Sequence, residues 1–123
     1  MIEGTVNAAY EAVVSLQLRG PAGLARIVDA VVDTGFTRFI TLPRTMVEEM
    51  GLGYKGVNRV ILADGSETTL EVYGVTVLWD GQPREVVAYA SDTTPLIGMS
   101  LLHRHNLNIE VERGGQVAIE GMA

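Results

Sequence analysis

The chain has 123 residues, of which 47% are hydrophobic and 20% charged, a length and composition that fit one folded domain and argue against disorder. The formal net charge is -6 and no basic run is present, which excludes the charge pattern of a nucleic-acid-binding protein. The absence of cysteine excludes disulfides, thiolate nucleophiles and cysteine-based metal sites.

The apolar runs of the sequence are far shorter than the ~20 residues that a membrane-spanning helix requires. Near the N-terminus, Glu3 and Glu11 stand where an export signal would carry basic and then apolar residues. We therefore expect a cytoplasmic protein that binds neither a membrane nor nucleic acid.

The first predicted element is a strand from Ala9 to Arg19, in which apolar and polar residues alternate so that Tyr10 shares the apolar face. Gly and Pro residues over 20–23 predict a turn, and Arg26 to Asp33 predicts the returning strand. The first thirty residues are thus interpreted as a hairpin whose second strand ends at Asp33.

A short β-favouring stretch, Thr37 to Leu42, precedes Pro43, which a first helical turn tolerates. Arg44 to Met50 is compatible with a short helix, and Gly51 follows its end.

Two further hairpins follow along the chain. Val60 to Ala63 and Thr68 to Tyr73 flank Asp64-Gly65-Ser66, and Asp-Gly readily adopts the positive φ angles of tight hairpin turns. Val75 to Trp79 and Glu85 to Tyr89 flank a second Asp-Gly pair in the same way. Trp79 and Tyr89 then fall on neighbouring strands and are interpreted as core or sheet-face aromatics.

The last part of the chain predicts a second short helix, Gly98 to His105, and two strands, Leu107 to Val111 and Val117 to Ile119. The total is six to eight strands and two short helices. Because the helices that connect parallel strands are missing, the pattern favours an all-β barrel or sandwich over a parallel α/β sheet.

The strongest chemical signal is Val31-Val32-Asp33-Thr34-Gly35, in which an apolar strand delivers a carboxylate directly into a glycine turn. Burial of a charge is costly unless a partner or a function compensates for it. The motif alone leaves two interpretations open: a functional carboxylate, or an aspartate that ends a strand and caps a turn with its own side chain.

A second element stands at a suitable distance along the chain: Pro95-Leu96-Ile97-Gly98, followed by a helical segment that ends in Arg104-His105. The order and spacing of the Asp-Thr-Gly strand end, the central Gly-containing hairpin and the final apolar-apolar-Gly block resemble the retropepsin-like (clan AA) aspartic protease family. The similarity is greatest to its bacterial single-domain members and the Ddi-type protease domain, and it extends to the retroviral proteases.

This resemblance implies an all-β fold, a closed acid-protease barrel with two short helices, as one domain over residues 1–123 with a core of about 9–120. It implies that Asp33 is the catalytic carboxylate, that Thr34 ties two active-site loops together, and that Gly35 allows their approach. The remaining implied roles fall in three groups: a flap that closes over substrate, a pocket residue beside it, and support beneath the active-site loop. These are Ala63, Asp64, Gly65 and Ser66 for the flap, Phe36 for the pocket, and Leu96, Ile97 and Gly98 for the support.

Hydrolysis of a peptide bond by this chemistry needs two carboxylates that share one proton, so that one accepts the proton of water while the other protonates the carbonyl oxygen. The chain contains no second Asp-Thr/Ser-Gly. We therefore predict a homodimeric aspartic endopeptidase that acts on peptide or protein substrates, with one Asp33 from each chain and no metal or other cofactor. The alternative is a catalytically inactive dimer that binds peptides or serves as a scaffold.

Two positions depart from the family pattern. Phe36 replaces a small residue after the glycine, and Met99 replaces the arginine that follows the final glycine of the retroviral enzymes. We therefore expect the dimer to be held by other contacts, with Thr5 to Tyr10 and Gln116 to Glu120 as candidate strands that pair between subunits. Asp29 lies too far from Asp33 in an extended strand to share a proton with it.

Overall fold

The computed structural model describes residues 1–62 and 64–123 of the chain. Strands dominate the described residues, and only two short helices interrupt them. The elements in chain order are β1 (Ile2–Val6), β2 (Ala12–Arg19), β3 (Ala25–Val32), β4 (Ile40–Leu42), α1 (Arg44–Glu49), β5 (Gly53–Ile61), β6 (Glu67–Trp79), β7 (Gln82–Ala90), β8 (Leu96–Ile97), α2 (Met99–Leu102), β9 (His105–Ile109) and β10 (Gln116–Gly121). The predicted all-β character is confirmed.

The core follows from the period-two pattern of the long strands. In β2, Ala12, Val14, Leu16 and Leu18 are buried, while the residues between them are exposed or half-buried. The same alternation places Val77 of β6 in the core, and the side chains of both strands belong to one continuous hydrophobic cluster. Burial of one face of each strand is therefore what fixes the sheet registers.

The strands form one sheet in the order β5-β6-β7-β4-β8-β3-β2-β1-β10-β9. An additional antiparallel pairing joins β2 to β6 through Gln17 and Leu78, Leu18 and Val77, and Arg19 and Thr76. In the run of six neighbouring strands β6, β7, β4, β8, β3 and β2, the last strand therefore also pairs with the first. Within the described residues, β5 and β9 are the outer strands of the sheet.

Two pairings are parallel: β3 with β8, and β4 with β7. These pairings contain two and three residue pairs, respectively, whereas the long hairpins are antiparallel throughout. The short parallel segments join parts of the chain that are distant in sequence, and hydrophobic periodicity gives no sign of them.

The N-terminal strand boundaries differ from the sequence prediction. The side-chain oxygen of Asn7 accepts hydrogen bonds from the backbone N–H groups of Ala9 and Glu11, and this turn delays the start of β2 to Ala12. Tyr10 has a φ of 61° and is 57% exposed, so its predicted place on the apolar face is wrong.

The terminal strands predicted to pair between subunits have other bounds, and they pair within the chain. The first strand is Ile2–Val6 rather than Thr5 to Tyr10, and it pairs with β10 on one side and β2 on the other. Strand β10, which contains the predicted Gln116 to Glu120, pairs with both β1 and β9. Thr5 of β1 and Val117 to Ile119 of β10 are therefore paired on both edges within the chain.

Both helices are shorter than predicted. The first ends at Glu49, and the second covers Met99–Leu102 rather than Gly98 to His105. His103 has a ψ of 131°, which ends the helical path, Arg104 follows with a φ of 67°, and His105 begins β9 instead. No helix in the described part of the chain is long and apolar enough to span a membrane.

Candidate active site

Asp33 lies directly after β3, at the start of a tight turn over residues 33–36, here called the Asp33 turn. Its side-chain Oδ1 accepts a hydrogen bond from the N–H of Gly35 at 2.9 Å, and its carbonyl oxygen accepts one from the N–H of Phe36 at 3.1 Å. The side chain is half-buried. The Asp33 carboxylate is therefore held at the edge of solvent by its own turn. This is the turn-capping geometry that the sequence offered as the alternative to a functional role.

The parallel strand β8 holds the Asp33 turn from beneath. The N–H of Asp33 donates to the carbonyl oxygen of Ile97 at 2.9 Å, and Val31 and Val32 pair with Leu96 and Ile97. Ile97 is fully buried in the core. The position of the carboxylate is thus set by a strand that is rigidly packed.

Gly98 continues this support by close backbone approach. Its N–H donates to the carbonyl oxygen of Phe39 at 2.9 Å, and the next N–H, of Met99, donates to that of Phe36 at 2.8 Å. A Cβ at position 98 would overlap the carbonyl oxygen of Arg38 and lie 2.6 Å from Cδ2 of Phe36. Only glycine allows the turn to lie this close to the start of α2.

The support has one further polar contact from the neighbouring strand. Thr41 of β4 is 4% exposed, and its hydroxyl oxygen accepts a hydrogen bond from the N–H of Leu96 at 2.9 Å. It is the one buried polar side chain among the described residues. The hydroxyl satisfies a strand N–H that would otherwise lack a partner.

Phe36 packs against the aromatic side chain of Tyr89 on β7. Its ring meets that of Tyr89 edge-on, with centroids 6.2 Å apart and an interplanar angle of 87°. The guanidinium carbon of Arg38 lies 5.9 Å from the same Tyr89 ring. Phe36 is thus engaged with the protein itself rather than left as an open pocket wall.

The predicted flap corresponds to the hairpin formed by β5 and β6. Near its tip, Ser66 donates to Asp64 Oδ1 from both its backbone N–H, at 2.9 Å, and its hydroxyl, at 2.6 Å. These hydrogen bonds hold the pKa of Asp64 below its ordinary value. Gly65 has a φ of 85°, which favours glycine. Ala63, the fourth predicted flap residue, lies outside the described residues.

The register of this hairpin separates its two faces. Asn58 lies opposite Leu70, and Val60 lies opposite Thr68, so these four side chains share one face. Asn58 donates from its side-chain nitrogen to the hydroxyl oxygen of Tyr89 at 2.8 Å, which identifies this face as the one directed toward the Asp33 turn. Through Tyr89, this face of the hairpin is linked to Phe36 of the Asp33 turn.

The other predicted members of the site are placed as follows. Thr34 is exposed beside Asp33. Asp29 is occupied elsewhere, because its side chain accepts a hydrogen bond from Ser15 on β2. Among the described residues, no cluster of three or more histidine, cysteine, aspartate or glutamate side chains is suited to hold a metal ion.

Sequence reasoning missed Asn58 and underestimated Tyr89. Tyr89 is 1% exposed but lies outside the main hydrophobic cluster, whereas Ala88 and Ala90 belong to it. The alternation along β7 puts Tyr89 on the face opposite to these alanines, which is a signal that the sequence did contain. Nothing in the sequence indicated that Asn58 of β5 would reach Tyr89 across this face.

Two surface cavities adjoin these elements without reaching Asp33. One, of about 530 Å³, is lined by residues of β5, β6, β7 and the turn after β2, including Lys55 and Glu85. The other, of about 380 Å³, lies beside the Asp33 turn and is lined by Thr37, Phe39 and Met99, among others. In the single chain, neither cavity contains the predicted catalytic carboxylate.

Comparisons of the chain with protein-family models, with curated protein sequences and with solved structures found no match. The function must therefore be argued from the residues and their arrangement.

Proposed function

We propose that the chain is one half of a homodimeric aspartic endopeptidase of the retropepsin-like type, in which the Asp33 carboxylates of two chains activate water. The observation that carries the proposal is the setting of Asp33: the end of a strand with one buried face, a glycine turn locked onto Ile97 and Gly98, and a hairpin linked to that turn through Tyr89. A turn-capping aspartate alone needs neither the supporting strand nor the link to the hairpin.

The circuit of strand pairings supports the closed barrel that this proposal includes. Strands β6, β7, β4, β8, β3 and β2 are consecutive neighbours, and β2 pairs again with β6. A closed arrangement removes free strand edges and holds the Asp33 turn on a rigid base.

The chemistry requires the second chain. One carboxylate accepts a proton from water while the other donates a proton to the carbonyl oxygen of the substrate, and the roles exchange as the tetrahedral intermediate collapses. Two adjacent carboxylates cannot both ionise freely, so they titrate as a pair. Cleavage should accordingly show a bell-shaped dependence on pH.

The dimer contact is proposed to lie around the Asp33 turn itself. Parts of both terminal strands are already paired within the chain, and residues 7–10 lie outside the strands, so the proposal does not rely on these segments for the dimer contact. A two-fold axis that brings two Asp33 side chains together must pass beside Thr34, which is exposed. Met99, which is 46% exposed, lies near the same turn because its N–H donates to the carbonyl oxygen of Phe36. These residues are the proposed contacts.

One observation favours the alternative, a non-catalytic dimer that binds peptides. Neither surface cavity is lined by Asp33, and Phe36 fills space beside the turn by packing on Tyr89. The alternative keeps the dimer and the hairpin linked to the turn, but assigns Asp33 only the role of capping its turn.

The decisive experiment compares the wild type with Asp33→Asn across a pH series, with unfolded polypeptides as substrates and mass spectrometry to identify new termini. Asn retains the size of the side chain and its ability to accept the Gly35 hydrogen bond, so the fold should persist. We expect complete loss of cleavage in this variant at every pH. Sedimentation should show a dimer for both proteins.

Asp29→Asn is the matched control, because it neutralises another carboxylate of β3 that binds Ser15 rather than the turn. It should cleave like the wild type. Equal cleavage by the wild type and Asp33→Asn would refute the peptidase. Binding of unfolded polypeptide by both, with cleavage by neither, would establish the alternative.

A further inference from the structure

Tyr89 occupies an unusual position in the sheet. Its side chain is 1% exposed, yet it belongs to the face of β7 that points away from the hydrophobic core. A phenol on this face is buried only if other groups pack against it. Here the contacts come from Asn58, on the same face of β5, and from Phe36 and Arg38 of the segment that follows β3.

The two ends of the Tyr89 side chain contact two different functional elements. The hydroxyl accepts the hydrogen bond from Asn58 at 2.8 Å, and the ring packs edge-on against Phe36 with centroids 6.2 Å apart. Phe36 in turn donates its N–H to the carbonyl oxygen of Asp33. A continuous series of contacts therefore runs from β5, through Tyr89, to the Asp33 turn.

This series opposes movement of the hairpin, as does the ion pair between Arg44 of α1 and Glu71 of β6 at 2.7 Å. Among the described residues, β5 is an outer strand with β6 as its one strand neighbour, and its residues are mostly exposed. If the hairpin lifts, the Asn58 to Tyr89 hydrogen bond must break, and the phenol hydroxyl loses this partner.

We propose that Tyr89 is a positioning residue that couples the β5–β6 hairpin to the Asp33 turn, so that the hairpin is held down and the turn is held in place by the same side chain. Its role in regulating cleavage rests on the proposed function, whereas the coupling itself does not. Loss of one hydrogen bond of this kind should increase the population of the lifted hairpin by about 2- to 10-fold.

The test uses relaxation-dispersion NMR on the full-length protein, because this method reports exchange on the microsecond to millisecond timescale expected for hairpin motion. Asn58→Ala removes the hydrogen-bond donor without touching Phe36. We expect increased exchange at the amides of β5 and, with the same rate, at the amides of Gly35 and Phe36. Tyr89→Phe should give the same pattern, since it removes only the hydroxyl.

Tyr73→Phe is the matched control. The Tyr73 hydroxyl donates to Glu71 at 3.2 Å, and its ring packs on Tyr54, so this variant removes a phenol hydroxyl from the same hairpin without affecting the Asp33 turn. Its exchange profile at the turn should match that of the wild type. A merely structural role of Tyr89 would lower stability without linking the two sets of amides.

Two results would overturn the coupling. In the first, Asn58→Ala changes amide exchange in β5 but not at Gly35 and Phe36. In the second, the exchange profile of Tyr89→Phe matches that of Tyr73→Phe. Cleavage assays then separate this inference from the proposed function. In an active enzyme, Asn58→Ala should lower kcat/KM by about 2- to 10-fold. Linked exchange in a protein that never cleaves would support the coupling and refute the peptidase.

Discussion

Substitution of Gly98 by alanine tests the packing beneath the Asp33 turn. The added Cβ would overlap the carbonyl oxygen of Arg38 and lie 2.6 Å from Cδ2 and 2.8 Å from the carbonyl oxygen of Phe36. Two of these three atoms belong to the backbone, so a side-chain rotation alone cannot relieve the overlap. The φ of Gly98 is -99°, which alanine also adopts, and the expected effect is therefore steric.

The magnitude follows from what must move. Overpacking of this kind costs about 1–3 kcal/mol. Separation of the two segments also weakens the hydrogen bonds from Gly98 to Phe39 and from Met99 to Phe36, each worth about 0.5–1.5 kcal/mol. The free energy of unfolding should therefore fall by about 2–6 kcal/mol, a large part of the stability of a typical domain.

Urea denaturation monitored by circular dichroism, at one fixed protein concentration, measures this change. Gly53→Ala is the matched control, since no atom lies within 4 Å of a Cβ built at Gly53 and its φ is not positive. It should change the free energy of unfolding by no more than about 0.5 kcal/mol. Equal stability of the two variants would refute the close packing of Gly98 on the turn.

Two further predictions concern polar contacts. Ser66→Ala should raise the pKa of Asp64 toward its ordinary value of 3.8, because the Ser66 hydroxyl is the largest cause of its lowering. The wild-type Asp64 carboxylate therefore stabilises the fold above about pH 3.8 and loses this effect as the pH falls through its folded pKa. Carboxyl NMR titration measures the difference, and identical titration of the two proteins would contradict the prediction. Thr41→Val should lower the free energy of unfolding by about 1–3 kcal/mol because the N–H of Leu96 loses its buried partner, whereas Thr41→Ser should retain most of the stability; equal urea midpoints for all three proteins would contradict this.

The strands were predictable where burial gives a clear period of two. The alternation in β2 identified Ala12, Val14, Leu16 and Leu18 as core residues, and the second Asp-Gly pair identified the turn between β6 and β7. There, Asp80 and Gly81 have φ values of 50° and 80°, as a two-residue hairpin turn requires. Local patterns of this kind carry their own structural signal.

Boundaries were less predictable where side chains compete for backbone hydrogen bonds. Asn7 forms a local turn that postpones β2, although the apolar alternation continues back to Tyr10. Hydrophobic pattern describes which face would be buried if a strand forms. It does not show whether a polar side chain already accepts the hydrogen bonds of the backbone N–H groups.

The candidate site was predictable only in part, for a related reason. Asp33 and Gly98 stand in recognisable local motifs, so both could be singled out from the sequence. The contact of Asn58 with Tyr89 joins β5 to β7 across the strand between them, and it depends on the registers of both strand pairs. Such non-local contacts leave no periodic trace, which is why the link between hairpin and turn emerged only from the structure.

The pairing of β3 with β8 also constrains when the Asp33 turn can form. Val31 and Leu96 are parallel neighbours but lie far apart in the chain, so the entropy of closing a long loop must be overcome before their contacts stabilise anything. During synthesis, the ribosome must release Ile97 before Asp33 can gain its backbone partner. Asp33 is therefore synthesised long before its turn can be fixed against β8. The Asp33 turn can form its complete set of contacts only when the last third of the chain has left the ribosome.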